Sequence, residues 1–264
     1  MGWIISESID YLILNLLFWC AALFVLWKRR DTLMLESGGI SSFFGILLIA
    51  WTLLKSLSIH SKYDMLIEFS PFISTLGLFL IASGVKSLKQ YWQELIIIFV
   101  LSIPVGTLYL VDKLIDSSTL AAKFSNFLLW YLGFQVHRQG VFVILPTGSI
   151  EIYSGCSGLN LMFLLIKLAI IFILLFRLKL SQKLLVPLIA LSIAFILNGV
   201  RVTIMAILVA SSNQTAFHYW HGDEGGQIFS TTAILIFGIV CQYMLKQSDN
   251  KPNNELRDQD SLEF

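Results

Sequence analysis

Long runs of apolar residues, separated by short polar segments, make up most of the chain. A helix that crosses a lipid bilayer needs about 20 mostly apolar residues. The pattern predicts seven membrane-spanning helices, over Tyr11–Trp27, Ile40–Leu57, Phe69–Val85, Leu95–Val111, Leu159–Phe176, Leu184–Ala210 and Ile228–Leu245. The stretch Leu120–Phe134 is shorter and contains Lys123, Ser125 and Asn126. It therefore fits an eighth span, a re-entrant segment or an interfacial helix.

A different pattern precedes the fifth predicted span. Residues Gly140–Tyr153 form two short segments rich in β-branched and aromatic residues, on either side of Pro146, Thr147 and Gly148. Such segments around a turn predict a β-hairpin. The predicted fold class is therefore an all-α polytopic membrane protein of about 7–8 transmembrane helices, with a short β-hairpin just before the helix that follows Cys156.

Composition supports the membrane assignment. The chain has 264 residues, of which 56% are hydrophobic and 13% are charged, whereas about 25% of the residues of a soluble domain are charged. The mean hydropathy is +0.78. The net charge of +1 gives no basic surplus of the kind that points to nucleic acid, so we expect membrane lipid and not nucleic acid among its partners.

The placement of Lys and Arg predicts the orientation, because cytoplasmic loops are enriched in these residues. Basic residues follow the first, third, fifth and last predicted spans: Lys28, Arg29, Arg30, Lys86, Lys89, Arg177, Lys179, Lys183 and Lys246. All of these positions are cytoplasmic only if Leu120–Phe134 does not cross the membrane. The N-terminus is then outside the cell and the C-terminus inside. We expect a multi-pass protein of the plasma (inner) membrane.

This orientation divides the chain and places its polar features. Residues 1–246 are predicted to form a single transmembrane domain, with the active part at about 130–245, and the polar tail 247–264 to be disordered in the cytoplasm. The β-hairpin, Cys156, Arg201 and the loop Ser211–Gly226 then all lie on or near the extracytoplasmic face.

Three cysteines are present, and one has a distinctive setting. Cys20 and Cys241 lie inside apolar runs, where cysteine usually acts as a small buried hydrophobe. Cys156 lies between Gly155 and Ser157, where the hairpin meets a predicted helix. A helix N-terminus favours the thiolate, which is the nucleophilic form of cysteine. The alternative interpretation is a small residue in a tight packing turn.

Arg201 falls inside an apolar run, one helical turn after Asn198. An arginine within the membrane usually faces a bundle interior or a wet cavity. Together the two side chains are able to hydrogen-bond a carbonyl, a carboxylate or a developing oxyanion. The alternative is an arginine whose side chain extends to the outer interface.

Two histidines follow in the loop, at 218 and 221. Histidine exchanges a proton near neutral pH, which suits His218 and His221 to acid–base chemistry. Their spacing lacks the zinc-binding His-Glu-x-x-His arrangement, so we expect no metal and no cofactor. The alternative role is a polar anchor at the membrane interface. The lone histidines His60 and His137 are predicted to be solvated.

These three segments together resemble the exosortase/archaeosortase family, and its cyanobacterial branch (the cyanoexosortases) in particular. The resemblance rests on Cys156-Ser-Gly at the head of one span, Asn198-Gly-Val-Arg201 in the next, and His221-x-x-x-Gly225 leading into Phe229. It covers roughly residues 130–245. One departure is Gly226, where the family usually has an aromatic residue.

The resemblance implies a membrane-embedded cysteine protease and transpeptidase. Such enzymes cleave the C-terminal sorting signal of exported proteins, which consists of a short motif, a transmembrane helix and a basic tail (PEP-CTERM-like), through a thioester, and pass the protein to an acceptor. Cys156 corresponds to the nucleophile and Arg201 to the essential arginine. His221 fits the histidine spacing, with His218 as the alternative and Asn198 as a supporting residue.

Two other classes of function fit parts of the pattern. A transporter or channel would use Arg201 and Asn198 to bind an anionic solute at the membrane midplane. A membrane assembly factor without catalytic activity would need no reactive Cys156.

Overall fold

A computed structural model describes residues 2–57, 65–104 and 106–260 of the chain, so His60 lies outside the described residues. The chain forms two compact units, Met1–Val111 and Asp112–Phe264. The single transmembrane domain over residues 1–246 and its active part stay predictions.

The first unit is helical. Its helices are α1 Gly2–Lys28, α2 Gly39–Leu57, α3 Met65–Glu68, α4 Ser70–Ser83 and α5 Trp92–Leu101, followed by α6 Thr107–Ile115 at the boundary between the units. Helices α1, α2 and α4 lie on the first three predicted spans. The fourth predicted span, Leu95–Val111, is wrong as a continuous helix, because the chain leaves the helical conformation between α5 and α6. Pro104 lies in this break, and proline lacks the N–H that a helix needs and disfavours helix in the residue before it.

Polar side chains hold the first unit together where helices meet. Arg29, at the end of α1, donates two hydrogen bonds to the buried carboxylate of Glu94 in α5, at 2.7 and 2.9 Å. The hydroxyls of Ser83 and Tyr91 are 2.6 Å apart in the interior. These contacts pair groups that would be costly to bury alone.

The second unit combines a small sheet with longer helices. Its elements are α7 Ser117–Tyr131, β1 His137–Gln139, β2 Phe142–Leu145, β3 Gly148–Glu151, α8 Leu159–Leu175, α9 Leu180–Ala210, α10 Gln214–His221 and α11 Asp223–Asp260. The sheet is antiparallel in the order β1-β2-β3.

The predicted hairpin is confirmed within a slightly larger sheet. Leu145 pairs with Gly148 at the end of the β2–β3 ladder, so Pro146 and Thr147 form the turn. Strand β1 was not predicted, and it contains His137, whose side chain is exposed as expected. Alternate residues of β2 and β3 are buried, which gives the sheet one face against the helices.

Helix α7 corresponds to the ambiguous stretch Leu120–Phe134. Its Ser125 hydroxyl donates to the carbonyl of Gly199 in α9. A Cβ on Gly199 would lie 2.1 Å from a ring carbon of Phe124. Helix α7 therefore packs closely on α9, and this contact needs a residue without a side chain at position 199.

Three helices of the described residues are long and apolar enough to cross a membrane: Gly39–Leu57, Leu180–Ala210 and Asp223–Gln247. Shorter apolar helices cover Asn15–Lys28, Ser70–Ser83 and Leu159–Leu175. The helical fold and its membrane-spanning segments agree with the predicted class. The count of 7–8 transmembrane helices, the orientation and the position of both termini stay predictions.

Helix α11 begins at Asp223 and continues past Gln247 as far as Asp260. The disorder of the polar tail 247–264 and its position in the cytoplasm stay predictions.

We predict that Gly199→Ala lowers the free energy of unfolding by about 1–3 kcal/mol, because the added methyl overlaps the Phe124 ring in a filled interior. Thermal unfolding in detergent measures this change. Gly238→Ala is the matched control, since a Cβ there meets nothing within 4 Å. Adding Phe124→Leu to Gly199→Ala should restore part of the loss. Equal melting temperatures for the two glycine variants would contradict the packing.

Candidate active site

The buried cluster beneath Cys156 is built by the sheet and by two helices. Cys156 has 5% of its surface exposed and packs with apolar residues of α7, β2, β3 and α9: Ala121, Ala122, Leu129, Val143, Leu145, Ile150, Ile152, Val202, Met205 and Ala206. At the end of α9, the Thr147 hydroxyl donates to the carbonyl of Ala210 at 2.7 Å. The β2–β3 turn is thereby tied to α9, and the chain after β3 leads directly to Cys156.

Cys156 ends a short 3-10 helix, Ser154–Cys156, and α8 begins three residues later at Leu159. The carbonyl of Cys156 accepts a hydrogen bond from the side-chain amide of Asn198 at 2.9 Å. Asn198 therefore holds the backbone of the cysteine.

Gly158 explains why the two motifs occur together. Its φ of +87° lies in the left-handed region, which glycine adopts without the penalty that a side chain brings. A Cβ at this position would lie 2.6 Å from the Asn198 side chain. The Cys156-Ser-Gly turn therefore closes against Asn198 of α9, and a larger residue at 158 would obstruct both the turn and the contact.

Arg201 binds the C-terminal end of α10. Its Nε donates to the carbonyl of Trp220 at 3.1 Å, and its Nη2 donates to the carbonyl of His221 at 2.9 Å. The last carbonyls of a helix have no partner within it and carry partial negative charge. The guanidinium supplies both donors and positive charge there, so it fixes α10 against α9.

The spacing from His221 to Gly225 also has a structural cause. A Cβ on Gly225 would lie 2.5 Å from the Cα of Trp220. The start of α11 therefore lies directly against the end of α10, whose carbonyls Arg201 binds. Gly226 lies against the same guanidinium, because a Cβ built on it would be 3.5 Å from Nη2 of Arg201.

The two histidines have different surroundings. The His221 ring is partly buried and stacks on Phe217, with centroids 5.3 Å apart. Its Nε2 lies 3.1 Å from the Tyr153 hydroxyl. His218 is exposed and meets Phe217 edge-on. Of the two, His221 is the one in contact with the segment that carries Cys156.

Tyr153 is the residue that sequence reasoning missed. Its hydroxyl contacts His221, and its interaction with the Cys156 side chain acts to lower the pKa of that thiol. Positions three apart in a 3-10 segment lie on the same side, so an aromatic residue three positions before the cysteine was a usable signal. Gly155 makes room for it, because a Cβ there would lie 2.6 Å from the tyrosine ring.

The electrostatics of the site favour neutral groups at rest. Burial raises the pKa of the Cys156 thiol above its ordinary value of 9.0, and the hydrogen bond with Tyr153 and the charge of Arg201 offset only part of this effect. Burial also raises the pKa of Tyr153. Burial, followed by the charges of Arg201 and His218, lowers the pKa of His221 below 6.5. The sequence suggested that a helix N-terminus favours the thiolate of Cys156, whereas burial raises the pKa of this thiol.

Metal-binding groups do not gather in this site. Among the described residues, no three His, Cys, Asp or Glu side chains lie close enough together to hold an ion. The polar contacts around Cys156 involve an amide, a phenol, an imidazole and a guanidinium, which suit hydrogen bonding and proton transfer.

Cys156, Arg201 and His221 lie on three separate elements of a helical protein whose longest apolar helices are long enough to cross a membrane. The family model of the transmembrane exosortases (Exosortase_EpsH) matches residues 6–238. The chain therefore belongs to the transmembrane exosortase family. The match includes the N-terminal helices, which the motifs alone did not reach. No curated protein and no solved structure gives a significant match to the chain.

We predict that alkylation of Cys156 by iodoacetamide is slow at neutral pH and accelerates as pH rises past 9.0, because burial raises the pKa of this thiol and only the thiolate reacts. A variant with Cys20 and Cys241 replaced by Ala isolates the signal. The rate is read by mass spectrometry at a series of pH values. A rate that levels off below pH 9.0 would mean that the site stabilises the thiolate instead.

Proposed function

We propose that the chain is a membrane-embedded cysteine transpeptidase that cleaves the C-terminal sorting signal of exported proteins. Membership of the transmembrane exosortase family supports sorting substrates in general. The observation that carries the proposal is that His221 contacts Tyr153, whose carbonyl accepts from the backbone N–H of Cys156, while Arg201 binds the backbone carbonyl of that histidine.

In the proposed reaction the Cys156 sulfur attacks the scissile carbonyl of the sorting signal. The tetrahedral intermediate collapses to a thioester, and the C–N bond breaks as His221 gives a proton to the leaving amine. The nucleophile of the acceptor then loses its proton to His221 and displaces the sulfur. Covalent catalysis of this kind divides one difficult step into two easier ones.

Arg201 serves two purposes in this scheme. Its hydrogen bonds to α10 fix the position of His221. Its charge also acts on the Cys156 thiol, whose pKa it lowers, so it favours negative charge where the thiolate and the oxyanion develop. Asn198 supports the nucleophile by holding the Cys156 carbonyl.

The substrate carries a short motif, a transmembrane helix and a basic tail, as in PEP-CTERM-like signals. The transmembrane helix of the substrate would lie beside the protein within the plasma membrane, with the scissile bond on the extracytoplasmic side. This placement follows from the predicted orientation of the spans and from the position of Cys156 at the start of α8.

The hydrogen bonds of the site argue against a transporter that binds an anionic solute. Two nitrogens of Arg201, Nε and Nη2, donate to backbone carbonyls of α10, and the Asn198 amide donates to the Cys156 carbonyl. An anion site would need these donors to face a cavity. The chain's family also favours the transpeptidase.

We predict that Cys156→Ala abolishes processing of a tagged substrate with a C-terminal sorting signal, because the thioester cannot form. Processing is followed by the mass shift of the substrate on a gel, with accumulation of the enzyme in the membrane as the check on folding. Cys241→Ala is the matched control, since this buried cysteine lies in another cluster. Normal processing by Cys156→Ala would disprove the nucleophile assignment.

We predict that His221→Ala reduces processing by about 100-fold or more, while His218→Ala stays within a few fold of the parent protein. Only His221 contacts the Cys156 segment, whereas His218 is exposed. Initial rates of processing compare the two variants at matched protein levels. An inactive His218→Ala beside an active His221→Ala would reverse the assignment.

A further inference from the structure

We propose that Tyr153 is a further catalytic side chain, which carries the proton between the Cys156 thiol and His221. This proposal rests on the proposed function. Its observation is the position of one phenol hydroxyl, which lies 3.1 Å from His221 Nε2. The same residue is joined to the nucleophile segment, because the backbone N–H of Cys156 donates to the Tyr153 carbonyl at 2.9 Å.

The proposed relay gives a direction to each proton. A phenol hydroxyl donates one hydrogen bond and also accepts. In the relay it accepts from the Cys156 S–H and donates to His221 Nε2, and the His221 Nδ1 then carries the ring proton. The Tyr153 hydroxyl is the group that contacts His221 Nε2, so it is the connecting atom.

The resting charges explain why a relay is needed. Burial favours the neutral thiol and the neutral imidazole, so nucleophile and base both start uncharged. Charged and titratable neighbours act on each group of the relay. The charge of Arg201 acts on Cys156, Tyr153 and His221. His218 also acts on His221, and Asp223 acts on Arg201. The thiol must therefore lose its proton as the reaction proceeds.

The proposed step moves two protons and leaves the phenol unchanged. As the sulfur forms its bond to the scissile carbonyl carbon, the S–H proton passes to the Tyr153 oxygen and the phenolic proton passes to His221 Nε2. The carbonyl oxygen takes up the negative charge. When the intermediate collapses to the thioester, the proton on His221 passes to the leaving amine nitrogen as the C–N bond breaks. No oxidant, reductant or added acid is required.

The local chain is shaped to hold the phenol in this place. The ring lies over Gly155, where a Cβ would come within 2.6 Å of a ring carbon. Half of the Tyr153 surface is exposed, although Cys156 is buried. The tyrosine is therefore accessible to a peptide substrate, whereas the thiol is not.

The test compares Tyr153→Phe with Tyr219→Phe, both of which remove one hydroxyl and keep the ring. Tyr219 lies in the same helix as His221, and its ring packs edge-on against Trp220. We expect Tyr153→Phe to slow acylation by about 100-fold, and Tyr219→Phe to stay within a few fold of the parent. The measurement is single-turnover release of the C-terminal fragment by purified full-length protein.

A second readout separates proton transfer from a structural role. The acylation rate is measured in mixtures of H2O and D2O. Two protons in motion give a curved dependence of the rate on the deuterium fraction, and one gives a straight line. We expect a curve for the parent and for Tyr219→Phe, and a straight line for Tyr153→Phe. A straight line for the parent, or a curve for Tyr153→Phe, would overturn the relay.

Gly155→Ala provides an independent arm, because it displaces the ring without removing the hydroxyl. We expect Gly155→Ala to slow acylation too. The double variant Gly155→Ala/Tyr153→Phe should be no slower than Tyr153→Phe, because both changes remove the same proton relay. Full additivity would count against the relay.

The outcomes also distinguish this proposal from the wider one. An inactive Cys156→Ala together with a fully active Tyr153→Phe would leave the transpeptidase standing and remove the relay. An active Cys156→Ala would remove both.

Discussion

The placement of the histidine depends on one contact, the guanidinium of Arg201 on the last carbonyls of α10. Helix α10, Gln214–His221, has only 8 residues, and a helix this short has little stability of its own. Its free C-terminal carbonyls would be left without partners in a partly buried position if the guanidinium were absent. The arginine therefore satisfies the backbone of α10 and at the same time fixes the ring that faces Tyr153.

The family motifs gain a physical meaning from close backbone packing. Gly158 lets the cysteine turn close on Asn198, and Gly225 lets α11 begin directly against α10. Each motif thus couples a chemically active residue to a glycine that removes a steric obstacle. The cysteine turn, α9 and the α10–α11 junction are held in contact over separations of 42 residues for Asn198–Cys156 and 20 residues for Arg201–His221.

The sequence predicted the features that depend on composition and spacing. The apolar runs located most of the helices, and the turn residues located the β2–β3 hairpin. The three motifs identified the segments that lie around Cys156. Three features were missed. Pro104 was a local signal for a break, but it lies in an otherwise apolar run that was read as one helix. The other two depend on tertiary contacts: the position of Tyr153 follows from the fold of the Gly155 turn, and the protonation of the cysteine follows from burial that no local pattern encodes.

The raised pKa of Cys156 has a consequence for the survival of the protein. A thiolate outside the reducing cytoplasm is readily oxidised to sulfenic acid or captured as a mixed disulfide. A cysteine that is 5% exposed and protonated at rest resists both reactions. If its proton leaves only when a carbonyl is in position, reactivity exists only during turnover. The same burial that keeps the Cys156 thiol protonated at rest would then preserve it on the extracytoplasmic side, where the predicted orientation places it.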